Sequence, residues 1–193
     1  MEKSMKPSKH GMKKKQQQLQ TIYSKCLITR KIMLPITSIG KNLYQTIDAN
    51  IKHMFESKCV IEGYIKGNSS KVITYSSGII ERGNIISFEV VFECEVCFPI
   101  EGMLIKCKVK NITKAGITAY SDTEFPSPIL VFIAKDHHTT SSHFANIKED
   151  ETIRVKVIGQ RFELNDKYIS IIGELKEDRE DREEFKKSSI TFL

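Results

Sequence analysis

The sequence has no hydrophobic run that approaches the roughly 18 uninterrupted apolar residues of a spanning helix, because Lys, Glu or Asp breaks every one. No membrane is expected as a partner. Five cysteines are odd in number for a disulfide scaffold. No apolar signal segment opens the chain, so a soluble protein of a reducing intracellular compartment is expected. Catalytic templates are missing as well. There is no G-x-S-x-G, no phosphate-cradling Gly-rich loop and no H-E-x-x-H, and the acidic residues fall on outward strand faces or in the C-terminal charge run. The expectation is a chain with no active site, no cofactor and no metal. It also lacks internal repeats.

What is present is enough apolar material to fold. With 193 residues, 40% of them hydrophobic, one domain or two small ones can bury a core, which excludes fibrous, collagenous and fully disordered classes. Lys and Arg number 30 against 24 Asp and Glu, a net charge of +6 that favours a polyanionic partner. That charge is unevenly placed. Residues 1–20 hold six Lys against Glu2, so they carry +5 and the other 173 residues only +1. Residues 1–22 read as a flexible basic arm and 177–193 as a charged tail.

Between the arms, 23–34 (YSKCLITRKIML) reads as a strand, with Pro35 and Gly40 punctuating the turn after it. In 42–55 (NLYQTIDANIKHMF) the period changes: Leu43, Ile47, Ile51 and Phe55 recur every four residues, which predicts an amphipathic helix of about three turns. Three β-rich runs follow at 58–66, 71–80 and 86–99. In the last, Phe88, Val90, Phe92, Cys94, Val96 and Phe98 alternate with Glu89, Glu93 and Glu95, so one face is apolar and the helix can cover it. After Pro99 and Gly102, five shorter strands are expected at 103–111, 116–121, 129–134, 152–159 and 167–175. The fold class is α+β: a small strand-helix-three-strand domain over 23–100, then a five-stranded β-barrel of the oligonucleotide-binding (OB) type over 101–176.

On the first barrel strand Lys106, Lys108 and Lys110 alternate with Ile105, Cys107 and Val109, and Arg154 and Lys156 repeat the pattern on the fourth. With Arg161, and with Tyr120, Phe132, Phe162 and Tyr168 as stacking platforms, they would form a groove for single-stranded nucleic acid. The plainer reading is that outward lysines solubilise strands and blunt edges. Cys94-x-x-Cys97 invites a zinc reading, but strand alternation sends the two side chains to opposite faces, and Cys94 reads as a small core residue. His137, His138 and His143 fall in a Ser/Thr-rich segment whose spacing fits an exposed loop.

Taken in order, these segments resemble the seventh subunit of eukaryotic RNA polymerase II and its archaeal and nuclear counterparts. Pro35, then Gly40-x-Asn42-Leu43, the helix, Glu56 and Cys59 are similar to the family's first strand, turn and helix. Gly63-Tyr64-Ile65, the SSGII stretch at 76–80, and Pro99 with Gly102 resemble its sheet and interdomain joint. The stretch at 149–175, EDETIRVKVIGQRFELNDKYISIIGEL, is similar to its last two barrel strands. The resemblance covers about 25–176 in collinear order.

The resemblance implies a non-catalytic stalk subunit of a multisubunit DNA-directed RNA polymerase. Such a subunit pairs with the family's fourth-subunit partner and docks on the large core subunits through a tip, here Gly78, Ile79, Ile80 and Gly83. Its barrel would face single-stranded nascent RNA. The location implied is the nucleus for a cellular eukaryotic member, or the host cytoplasm or virion for a viral one. Three departures, Gly116-Ile117-Thr118 without an aromatic after the glycine, the EFPSPI insert at 124–129 and the basic arm, fit a divergent viral member or an AT-rich genome. The alternative from another class is a free-standing OB-fold RNA-binding factor of translation or RNA decay. A third, a nucleic-acid hydrolase, would need a carboxylate cluster that the sequence does not supply.

Overall fold

The computed structural model describes residues 22–138, 144 and 146–176. Residues 1–21 of the arm expected over 1–22, the tail over 177–193 and His143 lie outside the described residues, while Ile22 is buried against the barrel core instead of belonging to the arm. The first half opens with β1 (Tyr23–Pro35), a short 3-10 turn and α1 (Leu43–Phe55). It continues through β2 (Lys58–Val60), β3 (Gly63–Ile65), β4 (Lys71–Tyr75) and β5 (Ile79–Ile80) to β6 (Ile85–Cys97). All strand pairs are antiparallel and β6 is the hub: β1 lies along one side of it, and β3, β4 and β5 pair successive stretches of the other.

The helix forms where its spacing predicts. Ile47 and Ile51 are fully buried, and the stripe ends in Phe55, stacked on Phe92 of β6 at 5.8 Å. Glu56 then leaves helical geometry, and Ser57 takes a left-handed φ of 57°, which stops the helix. Beneath it, Phe88, Val90, Phe92, Cys94 and Val96 form the apolar face of β6 and meet Ile28, Ile32 and Leu34 of β1 in one core. Truncating Phe92 to alanine would cost about 3–5 kcal/mol.

Two first-half expectations need correction. The run at 58–66 is a hairpin, β2 and β3, folded at Ile61-Glu62, and the run at 71–80 divides into β4 and β5 at Ser76-Ser77-Gly78. Five strands therefore follow the helix instead of three. Gly63 accounts for the tight entry to β3. Its φ is +128°, and a Cβ there would sit 2.4 Å from the Cys97 carbonyl oxygen. The alternation on β6 also ends early. Cys97 is buried and Phe98 is exposed, because the strand stops at Cys97 and Pro99 follows.

The second half is a closed five-stranded barrel of β7 (Leu104–Ile112), β8 (Gly116–Ser121), β9 (Ile129–Ala134), β10 (Thr152–Arg161) and β11 (Ile169–Lys176). Around the barrel the order is β10-β11-β9-β8-β7, with β9 and β11 parallel and the other pairs antiparallel. Closure leaves no free barrel edge. Inward Ile105, Cys107, Val109, Ile117, Val131, Ile133, Ile153, Val155 and Ile171 fill it. Cys59, Tyr64 and Cys97 of the first half join the same cluster. Main-chain bonds tie the halves there: the Cys59 N–H donates to the Asp166 carbonyl at 2.8 Å, and the Asn165 N–H donates to the Cys59 carbonyl at 2.9 Å.

Candidate nucleic-acid and docking surfaces

The barrel's outer face separates the expected binding residues into two groups. On β10, odd residues Ile153, Val155 and Val157 point inward and even ones outward, so Arg154 stands directly opposite Lys106 of β7 and Lys176 of β11. This gives a row of three cations across three strands. Lys176 also bonds Glu174 at 2.7 Å, and Lys156 lies opposite Glu174, so negative charge tempers one end of the row.

Lys108 belongs to a different setting. Its ammonium sits 3.1 Å from the Asp150 carboxylate, and the hydrogen bond to that carboxylate raises its pKa. Its cross-strand neighbour is the half-buried Tyr120. Lys110 does not continue the cross-strand pairing. A bulge between Val109 and Asn111 skips it, and Asn111 takes the outward register opposite Thr118. The bulge interrupts the pairing at Lys110, which is itself exposed.

A second bulge, between Val157 and Gly159, has the opposite effect. It switches the parity of β10, so Gln160 opposes the buried Ile171 while Arg161 opposes the exposed Ser170. Arg161 thereby reaches the outer face, 3.2 Å from Glu163. There it borders a shallow apolar depression of about 430 Å³ lined by Thr118, Leu130, Phe132 and Ile172. Phe132, opposite Thr118 and Ile172, gives the depression an accessible ring. Phe162 does not serve as a platform, since it packs edge-on against Phe98 at 6.2 Å and against the barrel core. Tyr168 is exposed.

The tip of the sheet is apolar on the outside. Ile79 and Ile80 pair with Ser87 and Ile86, yet remain 63% and 75% exposed, and Met33, Ile36 and Ile85 beside them are exposed too. Gly78 and Gly83 frame β5. A Cβ on Gly78 would lie 2.7 Å from an Ile86 methyl, and Gly83 turns the chain with φ +78°. Lys31 and Ser87 both bond Glu81, at 2.6 and 2.9 Å, and the Lys31 ammonium is the main reason that its carboxyl lies below the usual range.

Two contacts were not foreseen from the sequence. Glu56 accepts backbone N–H bonds from Asn68 and Ser70, both 2.9 Å, and so holds the β3–β4 turn. Glu124, from the insert, accepts the Tyr23 hydroxyl and lies 3.8 Å from Lys66, whose ammonium stands over the Tyr23 ring. Burial, followed by Glu124, pushes the Tyr23 pKa up. No signal in the sequence marks these long-range partners. Among the described residues no three His, Cys, Asp or Glu side chains gather as a metal site would require, and no helix is long and apolar enough to cross a membrane.

These features define a class: an α+β protein of a helix-backed sheet and a closed five-stranded barrel, with outward cations on the barrel and an apolar tip on the sheet. No family model matches the chain. Known proteins nevertheless match along most of its length. It is 25% identical over 172 residues to a DNA-directed RNA polymerase subunit of Acanthamoeba polyphaga mimivirus, covering 81% of this chain and 83% of that protein. It is 23% identical over 168 residues to DNA-directed RNA polymerase II subunit RPB7 of Glycine max, and equally to subunit 7 of Arabidopsis thaliana, covering 79% of this chain and 91% of each. The chain is thus similar along most of its length to RPB7-type polymerase subunits, a viral polymerase subunit among them, and the resemblance read from its sequence is borne out.

Proposed function

We propose that this chain is the seventh-type stalk subunit of a multisubunit DNA-directed RNA polymerase, contributing binding surfaces and no catalysis of its own. The observation that carries the reading is the collinear similarity to RNA polymerase subunits across about four-fifths of the chain, from the sheet through the barrel. In this reading 23–100 is the docking unit and 101–176 the RNA-binding unit. Gly78, Ile79, Ile80 and Gly83 seat the tip on the large core subunits, where exposed isoleucines lose water and the glycines allow close approach. The fourth-type partner covers apolar residues supplied by both halves, Ile61, Phe98, Ile100, Ile158 and Leu164.

The barrel contacts single-stranded RNA with Lys106, Arg154 and Arg161 as phosphate partners and Phe132 as the base platform. Lys108, Lys110, Tyr120 and Lys156 flank that track. The protein works inside cells, in the nucleus of a cellular host or where a virus transcribes. A free-standing RNA factor would use the same barrel but leaves the exposed Ile79 and Ile80 without a purpose. Affinity purification of the tagged chain from its native source tests the reading. Recovery of large polymerase subunits supports it, and a well-expressed preparation that recovers none overturns it.

A further inference from the structure

The register of β1 against β6 runs unbroken from Tyr23 opposite Cys97 to Pro35 opposite Ile85, and within it Cys26 falls directly opposite Cys94. Direct antiparallel partners point to the same face, with Cβ atoms about 4.5–5.5 Å apart. A disulfide needs Cβ atoms only slightly nearer, about 3.5–4.5 Å, and Cα atoms within the range that strand partners already occupy. All five thiols of the chain are free. No other two of them are strand partners: Cys97 lies between Tyr23 and Tyr64, Cys59 faces Tyr64, and Cys107 faces Ser121 and Ile153.

The two members of the pair differ in access. Cys26 is partly exposed and packs against the core cluster that contains Cys94, whereas Cys94 is only 1% exposed. An oxidant therefore meets Cys26 first. Burial holds the Cys94 thiol up at about 11, with Cys26 beside it as the next cause, which suits a resolving thiol better than an initiating one. We propose that Cys26 and Cys94 form an oxidisable dithiol that a peroxide converts to a cross-strand disulfide, a modification site independent of the polymerase reading.

The chemistry balances with hydrogen peroxide as the two-electron oxidant. The Cys26 thiolate attacks one peroxide oxygen, the O–O bond breaks, and the released hydroxide takes up the thiol proton as water. The resulting sulfenic acid is attacked by the Cys94 sulfur, the S–S bond forms, and the sulfenic hydroxyl leaves as a second water with the Cys94 proton. Two thiols and one peroxide give one disulfide and two waters. The product staples β1, an edge strand paired only with β6, close to the end where Tyr23 reaches Glu124.

The test uses the reduced full chain exposed to a small excess of hydrogen peroxide, alkylated under denaturing, non-reducing conditions and digested with trypsin and a glutamate-specific protease. Cleavage after Glu95 separates Cys94 from Cys97. The expected result is a monomer about 2 Da lighter before alkylation, two fewer alkylated thiols, and one linked peptide pair joining Cys26 to Cys94. Cys26→Ser, with its circular dichroism compared with the parent, should keep the fold and lose the link. A link through Cys59, Cys97 or Cys107, a disulfide between two chains, or Cys26 oxidised while Cys94 is still alkylated would overturn the proposal.

Discussion

Replacing Lys106 with alanine should weaken RNA binding, whereas removing Lys108 together with Asp150 should leave it nearly unchanged. Both lysines lie on the same strand and look equivalent in sequence, but their surroundings differ. Lys106 stands exposed opposite Arg154, while the Lys108 ammonium is already 3.1 Å from a carboxylate, so the Lys108→Ala, Asp150→Ala pair subtracts no net charge. Each phosphate neutralised on a single strand contributes about 0.7 to the slope of log affinity against log salt. If Lys106, Arg154 and Arg161 engage one phosphate each, the slope is about 2.1, and affinity falls about eighteenfold between roughly 50 and 200 mM salt. Lys106→Ala should lower the slope to about 1.4 and reduce that fall to about sevenfold. The assay is fluorescence anisotropy of an unstructured oligoribonucleotide across a salt series, with residues 1–20 deleted so that their six lysines add no salt-dependent attraction of their own. An unchanged slope in Lys106→Ala, or an equal loss in the Lys108/Asp150 pair, would refute the assignment.

Ile79→Asp with Ile80→Asp should abolish association with the polymerase core yet move the urea midpoint little, because both side chains are exposed; retained association would remove the tip from the interface. Glu56→Ala should cost about 2 kcal/mol in urea unfolding, since two backbone N–H groups lose a charged acceptor, and a loss under about 0.5 kcal/mol would contradict that role. Stability should also fall in alkali. Burial raises the Cys59 and Cys94 thiols to about 11 and the Cys97 and Cys107 thiols to about 12 from 9.0. The fold binds those protons more tightly than the unfolded chain, so stability is full below pH 9 and is lost as pH rises toward 11 to 12. The loss at pH 10 is roughly 1 kcal/mol per thiol. Urea midpoints at pH 8 and pH 10 in reductant check this, and equal values would count against it.

Much of the fold is legible because burial imposes period. The helix stripe and the inward residues of the barrel strands read correctly, with boundaries off by a residue or two, since each element hides one face. The β2–β3 hairpin was not legible because Ile61-Glu62 carries no turn-forming residue at the bend itself. The two barrel bulges escaped for a deeper reason. A bulge shifts strand register without changing composition, so sequence alternation alone says nothing of the break in pairing at Lys110 or of how Arg161 reaches the outer face. The Tyr23 to Glu124 contact spans 101 positions and leaves no local trace.

The central claim is that this chain is a constituent of a transcribing enzyme. It is tested most directly by purifying RNA polymerase from the native source, following templated nucleotide incorporation, and counting this chain by quantitative mass spectrometry. The account predicts that the chain rises with activity through every column to about one copy per large subunit, accompanied by a fourth-type partner. An active, intact polymerase that lacks the chain, with the chain eluting elsewhere by itself, would contradict it.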